Sequence, residues 1–138
     1  EETEAVRKDL RLMISKSNNA AATRMIDLVG FKKIEAVLRL AEVDLYNEKT
    51  GGGLWVGKRY AKSGKRYPDP MKGISHVATT YQACSFYYKL VFGKLISQKR
   101  SAEMLGYLKD PKLHHKFINT LQVIAPDATF YRKSGSWK

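Results

Sequence analysis

The chain has 138 residues, one domain's worth, and carries 25 Lys plus Arg against 13 Asp plus Glu, a formal charge of +12. A hydrophobic fraction of 43% with 11% aromatics excludes a disordered chain, and no apolar run approaches the ~20 residues that span a bilayer. The charge favours anionic partners, whether nucleic acid, an anionic membrane surface or a carboxylate-bearing substrate, and no signal-peptide pattern is present at Glu1.

Thr3 to Lys16 reads as a helix, with Val6, Leu10, Met13 and Ile14 at helical spacing and acidic residues at the positive end of its dipole. It runs into Ser17-Asn18-Asn19, small polar residues that compete with the helical backbone and therefore mark a junction. Asn19 or its neighbour opens a second helix through Ala21, Met25, Ile26 and Val29, ended by Gly30. Phe31, Ile34, Val37, Leu38 and Ala41 outline a third. That helix-turn-helix, with Lys32, Lys33 and Arg39 on a basic chain, gives a nucleic-acid-binding module as one reading, although Glu35 and Glu42 on the polar side would repel phosphate.

Residues 44–74 read as a long connection rich in Gly and Lys, more than a compact domain needs as filler and so a functional loop. It fits no nucleotide signature. The interval between Gly57 and Gly64 is too long for a phosphate loop, Arg66 stands where Ser or Thr would meet Mg²⁺, and Gly51, Gly53 and Val56 fail the dinucleotide pattern.

Thr79 or Thr80 caps a helix through Phe92 ended by Gly93, in which Cys84, Tyr87, Tyr88 and Val91 form the apolar pattern and Cys84 reads as a buried, inert thiol. Ser97 caps the next helix, with Ala102, Leu105 and Leu108 inward and its end near Asp110-Pro111. His114 and His115 fall in a short helix, where adjacent side chains diverge by about 100° and cannot readily share a metal. His76 stands alone in a loop. With no Cys, His or acid cluster at ligand spacing, neither a metal nor a cofactor is expected. Ala128 to Arg132 reads as a strand delivering Lys133-Ser134-Gly135 to an edge where a ligand can approach the backbone.

The order S-x-N at a helix junction, here Ser17-Asn18-Asn19, followed by strand-borne Lys133-Ser134-Gly135 resembles the second and third motifs of the serine β-lactamases and penicillin-binding proteins. The likeness extends over the flanking helices, from Ala5 to Gly30 and from Ala78 to Leu95, and is poor between about Glu42 and Ile74. It implies an α+β fold, of which residues 1–138 would be a partial domain. The helical lobe and the first part of the antiparallel sheet would be present, with 44–74 in the place of the omega loop.

The resemblance also assigns roles. Ser17 would relay a proton to the leaving nitrogen, Asn19 would hold the substrate's acylamide, and Lys133 would supply positive potential. Ser134 would bond the substrate carboxylate, and Gly135 would let the substrate lie against the strand. Two departures stand out. Asn18 replaces the usual Asp of S-D-N, and no W-E-P-E-L-N-like run carries the deacylating acid, leaving Glu48 as the acid nearest that role. No serine is followed three positions later by lysine, so the S-x-x-K nucleophile motif is missing. The chain reads as a segment beginning after the nucleophile helix, inactive alone.

The resemblance therefore implies a serine hydrolase acting on β-lactam or related amide bonds through an acyl-enzyme. It would be exported to the periplasm or secreted and complemented by the remainder of its own fold. The alternatives are a D,D-peptidase or esterase-like relative, a catalytically dead binding domain, and the basic nucleic-acid module.

Overall fold

In the computed structural model, residues 3–60, 64–109, 117–133 and 135 are described. Among the described residues six helices dominate: α1 Glu4–Ser15, α2 Asn19–Val29, α3 Phe31–Leu38, α4 Thr80–Val91, α5 Gln98–Leu108 and α6 Phe117–Ile124. Two small antiparallel sheets complete it, β1 Tyr46–Asn47 with β2 Gly52–Gly53, and β3 Trp55–Val56 with β4 His76–Val77. The α+β class is as the sequence indicates.

Local chemistry sets the helix starts. Thr3, Asn18, Thr79 and Ser97 each accept a hydrogen bond from the backbone N–H three residues on, satisfying donors that a helix leaves orphaned. The tightest is Ala21 N–H to Asn18 Oδ1 at 2.8 Å. α1 and α2 then pack together, and at the start of α2 Ala21 is fully buried and Ala22 nearly so. Arg24 clasps Asp9 with two hydrogen bonds, of 2.7 and 2.5 Å, across the same pair. Facing Arg24 in this way holds the Asp9 carboxyl below its ordinary range.

The core gathers Val43 and Leu45, from the segment after α3, with Leu90 of α4, Leu95, and Leu108 of α5. Ile14 and Leu38 pack on it, so the C-terminal ends of α1 and α3 are tied to the α4–α5 pair. Ser101, fully buried, donates to the Leu95 carbonyl at 2.7 Å, which closes the α4–α5 turn without an unsatisfied hydroxyl.

Several expectations change. Described residues of the 44–74 connection take up regular structure: β1 and β2 form a hairpin around a 3-10 turn at Glu48–Thr50, β3 pairs with β4, and His76 lies on β4, its ring stacked on Tyr60. Two glycines make this possible. A Cβ on Gly53 would lie 2.1 Å from the Leu45 carbonyl oxygen, and one on Gly57 would lie 1.8 Å from that of Tyr67. On α4 the buried stripe is Gln82, Phe86 and Leu90; Cys84 is exposed, as are Tyr88 and Val91. Of the expected apolar pattern, Tyr87 alone packs against the core. α3 ends at Leu38, short of Ala41. The strand expected over 128–132 is reduced to one antiparallel bridge between Tyr131 and Lys109. His114 and His115 lie outside the described residues, while Phe117 and Leu121 of the helix expected around them fall on α6.

Candidate functional site

The junction between α1 and α2 is a corner with one residue at its apex. Ser17 has φ +54°, the left-handed region, which a non-glycine residue occupies at a cost of about 1 kcal/mol. The corner is held from both sides. The Lys16 and Asn18 N–H groups both donate to the Leu12 carbonyl, at 3.2 and 3.1 Å, and the Asn18 side chain is committed to capping α2. Ser17 is left with its hydroxyl free of both helices' own capping bonds.

What meets it comes from the far end of the chain. α5 packs on α1, and just beyond α5 the returning chain is fastened by the Tyr131–Lys109 bridge and by Arg132 N–H donating to the Leu108 carbonyl at 3.1 Å. The next residue is Lys133, and its Nζ donates to Ser17 Oγ at 2.7 Å, across a separation of 116 positions. Partial burial, and then the neighbouring Arg132 charge, hold the Lys133 ammonium below the usual lysine range. The site therefore offers a hydroxyl held on a cation that gives up its proton more readily than a free lysine.

A third group supports this pair. Tyr87 on α4 lies close to the main chain of Lys133, and burial pushes its phenol above its ordinary range against a smaller lowering from that main chain. Tyr87 was visible in the sequence only as one member of an apolar helix pattern. Nothing local distinguishes it from Tyr88, which is exposed.

Of the other candidate residues, Gly135 lines, with Lys133, a cavity of about 450 Å³ walled by Phe117, Leu121 and Tyr131. Asn19 is the first residue of α2 and is exposed, with no hydrogen bond from its side chain to Ser17 or Lys133 among the described residues. Ser134 lies outside the described residues. No group of three or more His, Cys, Asp or Glu among the described residues could hold a metal ion.

Three acids of the 35–69 region are engaged in holding that region together. Glu48 pairs with Arg39 at 2.8 Å, and Glu35 accepts from both Arg39, at 2.9 Å, and the Tyr67 hydroxyl. Asp69, almost wholly buried, accepts from the Tyr46 hydroxyl and from Lys72 N–H at 2.5 Å. Burial and that carboxylate push the Tyr46 phenol up to about 12. Asp69 was not singled out in the sequence.

A family model described as a β-lactamase enzyme family matches residues 4–138. No curated protein and no solved structure matches the chain. No helix among the described residues is long and apolar enough to cross a membrane.

Proposed function

The chain belongs to the β-lactamase enzyme family, a family of hydrolases acting on small molecules, and from that premise we propose that Ser17 and Lys133 form the proton-relay half of an acyl-transfer site. The observation that carries this reading is the 2.7 Å hydrogen bond between the two motifs. In the proposed reaction a serine hydroxyl attacks the carbonyl of a β-lactam or related amide, the carbon–nitrogen bond breaks, and the acyl group stays on the serine. The proton lost by that serine must reach the departing nitrogen, and the Ser17 hydroxyl is the group to carry the last transfer.

Lys133 serves this in two ways. Its hydrogen bond orients Ser17, and its charge attracts a substrate carboxylate and stabilises a Ser17 oxygen as it gives up its proton. Gly135, lacking a side chain, leaves the neighbouring cavity open for substrate to lie along the chain. Asn19, at the mouth of α2, is proposed to hold the acylamide carbonyl or amide, with Ser134 on the carboxylate. Since no S-x-x-K occurs in the chain, the attacking serine is proposed to come from outside it, and the chain by itself is proposed to be inactive.

Clearing the acyl group from that serine would need a base to activate water. Glu48, Glu35 and Asp69 are each held by arginine, tyrosine or backbone donors, and none is presented as a spare base for this step.

The test is labelling of the complete protein with a fluorescent penicillin, as rate of label gain and rate of label loss. Lys133→Ala and Ser17→Ala are each expected to slow acylation by on the order of 10²-fold, as loss of a positioned proton-transfer group does. Acylation is also expected to fall with rising pH below the ordinary lysine range, because a lowered pKa strips Lys133 of its charge early, and Lys133→Arg should move that limb upward. Unchanged acylation in both alanine variants would remove the assigned roles.

A further inference from the structure

We propose that the cavity between the α2–α3 junction and residues 65–67 is a binding site for a small planar aromatic anion, an arene carboxylate or sulfonate. It shares no residue with the Ser17–Lys133 site, and its volume is about 490 Å³, in the range of pockets that take small ligands. Two aromatic rings and four cations line it: Phe31, Lys32, Lys33, Lys65, Arg66 and Tyr67.

The apolar part is a built ladder. Phe31 stacks on Tyr67 with centroids 5.8 Å apart and planes 6° from parallel; Tyr67 stacks on Trp55 at 5.6 Å and 12°. Trp55 in turn leans on Tyr46 at 4.9 Å. Phe31 ends the series, with no further aromatic partner among the described residues, so a flat ring entering the cavity would extend a stack that already exists.

That stack is anchored at several points. Tyr67 N–H donates to the Gly57 carbonyl at 2.7 Å, its carbonyl accepts from Trp55 Nε1 at 2.8 Å, and its hydroxyl donates to Glu35. Little ordering of these rings remains to be done on binding.

The rim selects charge. Arg66 is fixed by bonds from Nε to Ser75 Oγ at 2.7 Å and from Nη2 to the Gly73 carbonyl at 2.8 Å, neither of which neutralises it. Lys32, Lys33 and Lys65 have no carboxylate within salt-bridge distance among the described residues. Glu35, the acid of α3 nearest this rim, is committed to Tyr67 and Arg39. Four cations around one cavity repel one another, and an anion placed between them relieves that repulsion. Ring stacking alone would admit neutral arenes and charge alone would admit any anion; the two together specify an aromatic anion.

The experiment is calorimetric titration of the full chain with 2-naphthoate, with its neutral counterpart 2-naphthylmethanol and with inorganic phosphate, for the wild type and the surface variant K33Q/K65Q. Thermal melting checks that the variant is folded. Saturable 1:1 binding of 2-naphthoate is expected, weakened about tenfold in K33Q/K65Q and substantially weakened by high salt, with the alcohol and phosphate each at least about tenfold weaker than 2-naphthoate. Absence of saturable binding at millimolar 2-naphthoate, equal binding of the alcohol, or unchanged affinity in the folded variant would overturn the proposal. So would displacement of 2-naphthoate by a mixed-sequence DNA duplex of higher affinity, which would assign the cations to nucleic acid.

Discussion

Replacing Ser17 in two different ways separates what its backbone does from what its hydroxyl does. Ser17→Ala keeps a Cβ in the left-handed region at φ +54° and removes the acceptor of the Lys133 hydrogen bond. Ser17→Gly removes the same acceptor and also removes the Cβ. The lost bond lies at the surface, so its contribution to folding is at the low end, about 0.5 kcal/mol, and is common to both variants. The left-handed conformation costs a residue with a Cβ about 1 kcal/mol more than glycine.

The glycine variant is therefore expected to be more stable than the alanine variant by about 1 kcal/mol, or about 4 °C in melting temperature for a chain of this size. Against the wild type, glycine should be slightly stabilising or neutral and alanine destabilising. Penicillin acylation of the complete protein should fall alike in both. Stability is read by urea and thermal denaturation, and acylation by label incorporation. An alanine variant as stable as the glycine variant would refute the strained-corner reading. Acylation retained by either would refute the hydroxyl's role.

Packing and charge give two more expected outcomes. Gly57→Ala places a Cβ 1.8 Å from the Tyr67 carbonyl oxygen, so residues 55–67 must separate; the change is expected to cost several kcal/mol, about the cost of severe overpacking, read as loss of the Trp55 near-ultraviolet signal at a lowered melting point. His76 has its pKa lowered below 6.5, first by burial and second by the Lys58 charge. The folded state therefore binds its proton less readily than the unfolded chain. Stability from this group is complete above pH 6.5 and falls as pH drops from there through the lowered value. His76→Gln should flatten that slope in unfolding experiments between about pH 5 and 7, and an unaltered slope would show that another group sets it.

The helix framework was legible because its signals are short-range. Thr3, Asn18, Thr79 and Ser97 each cap through a hydrogen bond to a residue three positions away, and such a bond needs nothing but the local chain. Gly30 and Gly93 mark helix ends for the same reason, and both have positive φ. The two motifs were visible as residue types in an order. Their chemistry as a pair was not, since the separation of 116 positions is closed only by α5 packing on α1 and the return of the chain at Tyr131 and Arg132.

Where the reading failed, the deciding partner was remote. Hydrophobic spacing on α4 allows more than one inward face, and the positions of Val43, Leu45 and Leu108 chose the one bearing Gln82, Phe86 and Leu90 and left Cys84 in solvent. The 44–74 segment looked irregular because its strands are two residues long and several of its partners lie twenty or so positions away along the chain, as when Trp55 pairs with Val77 or Tyr46 finds Asp69. The sequence by itself determined where the capped helices start, the +12 charge and the presence of both motifs, because capping, charge and residue type are properties of single positions and their near neighbours. Only the tertiary structure decided which faces are buried, which acids are already engaged and that Lys133 reaches Ser17, because each of these depends on groups that the chain brings together only when it folds.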